Sequence, residues 1–307
     1  MMEVRVYSDE ELQRVGIENE ADVITRPVIS YWKGAILRFK KNHIAMFAFG
    51  LFVLFLFFTL FGPALSGENY TEIDAANRNI GPNGSFWFGT DQLGRDLFSR
   101  IWIGARLSVI VALVCSGIQI VFGSIYGGIM AYFGGKVDAV MMRIIEVVNS
   151  FPSLLVTLLI MMVVGKNVIG LLIAMSITSW VGTARIVRGQ IMLLRESEYV
   201  KASQLLGGGA ARIIKKHLLP NTISLLILDL CSSIPDYIFT EASLSFLGMG
   251  LGGDIISLGV LISDGKTKMQ FYPWQMIFPA VVLVVAVLAF NLIGDGLRDA
   301  LDPKTVN

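Results

Sequence analysis

The 307-residue chain has little of what enzymes and metal sites are built from. Its two histidines, His43 and His217, stand far apart and neither has ligand-spaced neighbours, which excludes an ordinary histidine metal site. Two cysteines, Cys115 and Cys231, lie inside apolar runs and are expected to pack as small hydrophobes, with no disulfide or redox role. A phosphate cradle is missing as well. Gly265-Lys266-Thr267 comes nearest to one, but Val260 stands where the loop needs its first glycine, and no Lys follows the Gly207-Gly208-Gly209 triplet directly. Serines and aspartates are common without a nearby base, so no activated nucleophile is readable. The chain is expected to catalyse nothing and to hold no cofactor or metal. Charge is scarce too: 16% of residues, with a net charge of +1 that says nothing about partners.

What fills the space is apolar. At 54% hydrophobic residues and a mean hydropathy of +0.66, the sequence exceeds what a soluble domain carries and reads as all-α integral membrane. A membrane core asks for roughly 20 apolar residues per helix. Six segments meet or approach that length: His43–Phe61, Ser108–Phe133, Val140–Val164 with Pro152 in its middle, a span beginning at Val168 and running past Val181 into Gln190, Asn221–Phe239, and Met276–Ile293. No cleavable signal peptide is expected, because some forty polar and charged residues precede the first apolar run.

Charge distribution sets the expected orientation. Residues 1–42 read as a cytosolic tail, acidic as far as Val28, with Ser8 and Glu11 placed for a capping box and Trp32, Lys33, Arg38, Lys40 and Lys41 forming a basic, aromatic collar before the first span. Residues 43–307 form the transmembrane domain, with outer loops at about 63–103 and 241–274 and a cytosolic loop at about 190–220. That cytosolic loop carries Arg195, Lys201, Arg212, Lys215 and Lys216 against Glu196 and Glu198, the strongest positive-inside marker in the chain. Both termini are expected inside. Arg95, Arg100 and Arg106 run against this count, and Asp91 and Asp96 are placed to offset them. Small residues from Ser116 to Gly128 predict close packing of the second span on other helices. Arg143 and Glu146, three residues apart, are expected to pair on one face, while Asp229 and Asp236 are the candidates for a midplane ionisable site.

Three stretches carry the functional reading. In Glu198-Tyr199-Val200-Lys201-Ala202-Ser203-Gln204-Leu205-Leu206, the residues Tyr199, Ala202, Leu205 and Leu206 recur at helical spacing and predict a short amphipathic helix. Gly207 should end it, and a second short helix over Ala210–Leu219 should stop at Pro220. Farther upstream, Thr90 or Asp91 is placed to cap an interfacial helix bearing Leu93, Leu97 and Phe98. Finally, Glu241-Ala242-Ser243-Leu244-Ser245-Phe246-Leu247-Gly248 leads into glycine-rich backbone expected to fold back at the outer mouth of a pathway.

These motifs resemble the binding-protein-dependent ABC importer permeases. Ala202-Ser203, Gly207 and Leu219-Pro220 match the spacing of the cytoplasmic EAA loop, with Lys201, Ser203 and His217 as departures, and Glu198-Tyr199-Val200-x-Ala202 is similar to the peptide branch. Gly89-Thr90-Asp91-x-x-Gly94-Arg95-Asp96 resembles a signature of the C-type subunit of dipeptide and oligopeptide systems, and the Glu241–Gly248 and Gly294–Pro303 stretches are similar to further family motifs. The resemblance implies six spans in a type I ABC importer permease fold with cytoplasmic EAA coupling helices, paired with a second permease. It also implies two ATPase subunits that hold the ATP and magnesium, and an extracytoplasmic binding protein that delivers short peptides. Coupling would fall to Glu198, Tyr199, Lys201, Ala202, Ser203, Leu205, Leu206 and Gly207. Asp91, Gly94, Arg95 and Asp96 would form an outer-face motif, and Glu241, Ser243, Ser245 and Gly248 an outer-mouth motif. The location implied is the cytoplasmic membrane of a bacterium or archaeon. Nickel or another small solute is the alternative cargo, and an ion-coupled secondary transporter is the alternative of another class.

Overall fold

In the computed structural model, residues 31–67, 70–252 and 254–301 are described. The acidic tail and its capping box lie outside them. Among the described residues, regular structure is helical apart from an isolated bridge between Thr90 and Asp96. Eleven α-helices follow in order: α1 Tyr31–Lys41, α2 His43–Ser66, α3 Leu97–Phe133, α4 Gly135–Asn149, α5 Ser153–Val164, α6 Val168–Arg195, α7 Glu198–Leu205, α8 Ala210–Ile213, α9 Ile223–Phe246, α10 Leu258–Lys266 and α11 Trp274–Leu301.

Among the described residues, five helical runs are long and apolar enough to cross a membrane: α2, α3, α6, the run from α8 through α9, and α11. The segment expected as one span over Val140–Val164 is instead α4 and α5, bent 77° to one another. Pro152 is the reason: it offers no backbone N–H and drives Phe151 out of helical geometry. Counting the bent pair as one crossing brings the number to six.

The second correction concerns the loop before α3. No helix begins at Thr90 or Asp91, because Asp91 already spends one carboxylate oxygen on the N–H groups of Leu93 (2.8 Å) and Arg95 (3.0 Å), and Gly94 turns the chain at φ +82°. Asp96 is the cap instead, accepting from Ser99 N at 2.9 Å. From there α3 runs 37 residues without a break. At 1.5 Å per residue it is about 55 Å long, well beyond the roughly 30 Å of a hydrocarbon core. Leu97 and Phe98 are therefore buried in the bundle instead of lying along an interface.

Packing follows from the small residues. A Cβ on Gly123 would stand 2.6 Å from Thr183 Cβ, and one on Gly127 would collide with the Ala184 carbonyl, so α3 and α6 touch backbone to backbone. Asp138 on α4 and Arg188 on α6 add a two-pronged ion pair, both contacts at 2.5 Å. Phe55, Ile101, Leu171, Ile238, Leu244 and Leu258 belong to the main core. Large apolar side chains such as Phe47, Leu159 and Val163 point outward, as lipid-facing residues do.

Arg106, which ran against the charge count, has a structural task. Pro63 inside α2 leaves the Thr59 carbonyl without its usual donor, and Arg106 donates to Thr59 O at 2.5 Å and to Leu60 O at 2.6 Å. Arg100 likewise lies 3.4 Å from Asp91 and donates to the Tyr70 carbonyl.

Candidate docking surface and its supports

Between α6 and α9 the chain makes a helical hairpin at one end of the bundle. Its first arm, α7, is only eight residues long and has no side-chain cap at Ser197, so it depends on tertiary support. Val200 supplies that support. It is completely buried and packs in a small separate core with Ala131, Val187, Ile191, Ile213 and Leu218. The opposite face is bare: Leu205 is 90% exposed and Leu206 89%, and Ala202 is exposed beside them. Tyr199 is only half turned out, its ring 6.3 Å from that of His217. The polar residues sit around this face, with Lys201 3.3 Å from Glu196 and Glu198 exposed in the first turn.

Gly207 ends α7 at φ +79°, donating its N–H to Gln204 O, and Gly208 donates to the Ser203 carbonyl at 2.9 Å. The second arm differs from its expectation. Only Ala210–Ile213 is α-helical; Ile214–Leu218 widens to a π-turn and Leu219–Thr222 tightens to 3-10 before α9 starts at Ile223. Pro220 therefore opens a turn instead of stopping the helix, since a first-turn residue needs no intrahelical N–H partner. Residues 214–218 are the wide turn such a register change produces.

At the other end, the Asp91–Asp96 stretch is a tied knot. Asp91 pairs with Arg95 at 2.7 Å, and Asp74 N donates to Leu93 O across the loop. Gly94 is packed so tightly on the Asp74 carbonyl that any side chain there would displace it. Gln275 of α11 reaches over to donate to Asn79 Oδ1 (2.9 Å) and Thr90 O (3.0 Å). The four residues Asp91, Gly94, Arg95 and Asp96 are thus brought together by the loop's own bonding.

Glu241 forms a second knot. The helix expected to end at Phe239 continues to Phe246 with Pro235 inside it, and the backbone turns back only from Leu247 onward. Glu241 is almost fully buried and accepts from three hydroxyls: Ser108 of α3 at 2.9 Å, Ser245 of its own helix at 3.1 Å and Ser257 ahead of α10 at 2.6 Å. Gly259 lets α10 close on it, as a Cβ would stand 2.6 Å from Ala242 Cα. Ser243 only returns its hydroxyl to the Phe239 carbonyl. Gly248 turns at φ +78°, and its carbonyl accepts from Lys166 at 2.6 Å.

Sequence reasoning named Asp229 but missed the third cluster to which it belongs. Gln119 on α3 donates to Thr183 Oγ1 at 2.9 Å and accepts from the Tyr237 hydroxyl at 2.8 Å, while Thr183 donates to Asp229 at 2.5 Å. The signal was a polar residue inside each of three apolar helices; nothing in the linear order said that they meet. Val200 was missed for a different reason, being the apolar residue off the predicted stripe. Arg143 and Glu146 do pair, at 2.6 Å, on an exposed face of α4.

Long apolar helices around buried polar knots, with a polar hairpin at one end, define a multi-span membrane protein. The chain belongs to the family described as "Binding-protein-dependent transport system inner membrane component", which matches residues 119–307. Residues 30–82 match a second description, "N-terminal TM domain of oligopeptide transport permease C". The chain is 41% identical over 285 residues to the oligopeptide transport system permease protein OppC of Bacillus subtilis, covering 93% of each. It is 44% identical over 288 residues to the dipeptide transport system permease protein DppC of the same organism, covering 93% of this chain and 89% of the relative. Against OppC of Escherichia coli K12 it is 39% identical over 290 residues, with 94% and 96% covered. A solved chain of the MetNI methionine ABC transporter shares the fold at a TM-score of 0.53 and 17% identity, over 66% of this chain and 96% of that one. The protein is accordingly a multi-pass permease component of the inner membrane, not an enzyme.

Proposed function

We propose that this chain is the six-span permease subunit of an ATP-driven importer and, with a second related permease, forms the passage for short peptides handed over by an extracytoplasmic binding protein. ATP and magnesium belong to two partner ATPase subunits. The tail before residue 43 and the hairpin lie in the cytosol with both termini, and residues 43–307 form the membrane domain with the 63–103 and 241–274 regions on the outer side. The peptide cargo rests on the named cargo of the similar permeases.

The observation that carries the coupling role is the division of α7 into a buried and a bare face. Val200 clamps the helix to the bundle while Ala202, Leu205 and Leu206 stand free at its outer face. A solvated loop has no need of two adjacent leucines left almost entirely open, whereas a groove on an ATPase would cover them. When the ATPase pair closes, α7 moves with it as a rigid lever, Gly207 setting the bend and Glu198, Lys201 and Ser203 shaping the rim. Swinging a two-state equilibrium from 1:99 to 99:1 takes about 5.5 kcal/mol, which a loosely held loop cannot transmit. The Asp91–Asp96 knot ties the outer loop to α11, and the Glu241 knot ties α9 to α3 and to the start of α10, so that the helices respond together.

The test is affinity isolation of the chain from mild detergent, wild type against Ala202→Glu. The wild type should bring down a second permease and two ATPases, and the variant should retain the permease and lose the ATPases. Unchanged ATPase recovery with the glutamate in place would remove α7 from the docking role.

A further inference from the structure

A polar cavity of about 430 Å³ opens among α3, α5, α6 and α9, and Gln119, Thr157, Ser179, Asp229, Asp236 and Tyr237 are among its lining. Its size falls in the range of small-molecule sites, roughly 300–1,000 Å³. Its lining holds two carboxylates, several hydroxyls and an amide, and no lysine or arginine. The two acids differ in their surroundings. Asp229 is held by Thr183 and, at 3.4 Å, by Gln119, which Tyr237 fixes in turn. Asp236 is exposed at the cavity and has no hydrogen-bond or ion-pair partner among the described residues. A carboxylate on a spanning helix without a partner is costly unless water or a cation reaches it.

The spacing narrows the cation. Seven residues along one helix return to the same face about 10 Å away, too far for both carboxylates to hold one ion. No group of three metal-ligating side chains occurs among the described residues either. An ammonium group fits instead, since its three N–H donors match one carboxylate and neighbouring hydroxyls. About 10 Å is also the reach of three residues of extended chain.

We infer that this cavity is a transit subsite for the α-ammonium group of a short peptide, with Asp236 as its free carboxylate and Asp229 as a second, pre-oriented one about a tripeptide's length along α9. The inference rests on the peptide-import reading. It assigns the permease a contact with the one positive charge that every unmodified peptide carries, so the pathway itself distinguishes free from blocked amino termini.

The experiment uses the assembled importer in nanodiscs without its binding protein, so that the binding protein's own selectivity does not enter. Thr240, which also lines the cavity, becomes the reporter as Thr240→Cys, with Cys115 and Cys231 replaced by Ser. Trialanine should slow maleimide labelling of the reporter about tenfold more than N-acetyl-trialanine does, the factor one charge-assisted hydrogen bond supplies. Asp236→Asn should abolish that difference and Asp236→Glu should retain it. Equal protection by the two peptides, or a difference that persists in Asp236→Asn, overturns the subsite. ATP-driven uptake of trialanine by the wild-type and reporter complexes, with the binding protein added back, is measured in parallel. If uptake occurs and protection is equal, only the subsite fails; if the wild-type complex with its binding protein takes up no peptide, the import reading fails and the subsite with it.

Discussion

Replacing Val200 by Ala separates the two faces of α7. Val200 is completely buried against the Val187, Ile191, Ile213 and Leu218 side chains, and the change removes two carbons. At about 0.8 kcal/mol per buried methylene the transfer loss is about 1.6 kcal/mol, and an unfilled cavity raises it to about 2 kcal/mol. An uncapped eight-residue helix has no reserve of its own to absorb that loss. The seated state should become about thirtyfold less favoured relative to the loosened one. Amide hydrogen exchange on the permease pair before ATPases are added reads this directly. The N–H groups of Leu206, Gly207 and Gly208, bonded to Ala202, Gln204 and Ser203, should exchange about thirtyfold faster in Val200→Ala. Leu205→Ala, which trims a side chain already 90% exposed, should leave these rates within about a factor of three, yet weaken ATPase binding. If Val200→Ala leaves exchange unchanged, or if both variants accelerate it alike, α7 is not held as the structure implies.

Three further outcomes follow from the same contacts. Gly207→Val meets no neighbouring atom within 4 Å but must hold φ +79°, a backbone strain of about 1–2 kcal/mol, so membrane levels should stay normal while uptake per ATP falls. Normal uptake per ATP would show that the bend does not matter. Glu241→Ala leaves the Ser108, Ser245 and Ser257 hydroxyls without their shared acceptor and should lower thermal stability in detergent by about 2 kcal/mol, with Glu241→Gln losing less. An unshifted melting curve for the alanine variant would mean the knot bears no load. Arg106→Ala strands the Thr59 carbonyl beside Pro63 and should cost about 1–2 kcal/mol, whereas Arg106→Lys should recover part of it; equal melting of all three proteins would contradict the assigned task.

The linear order alone determined that the chain is helical and crosses a membrane, because apolar run length and charge placement are local properties. It also located the short helix before Gly207, since 3.6-residue spacing and a glycine break are written in adjacent residues. Where the reading and the structure part, a partner distant in sequence decided. Pro152 looked like a mid-span proline, but the geometry on either side makes it a 77° corner. Pro220 looked like an end, yet a wide turn followed by a 3-10 turn carries the helical run past it. Asp91 looked like a cap until the loop claimed its carboxylate and left the task to Asp96. Arg106 looked misplaced until the carbonyl freed by Pro63, 47 residues from it at Thr59, came within reach. The same holds for Glu241, for the Gln119–Thr183–Asp229 cluster and for Val200, whose partners come from separate helices. Sequence pattern fixes which face of a helix is apolar. Only close packing settles which polar atom meets which, because in a water-poor interior each must find a partner wherever the fold places one.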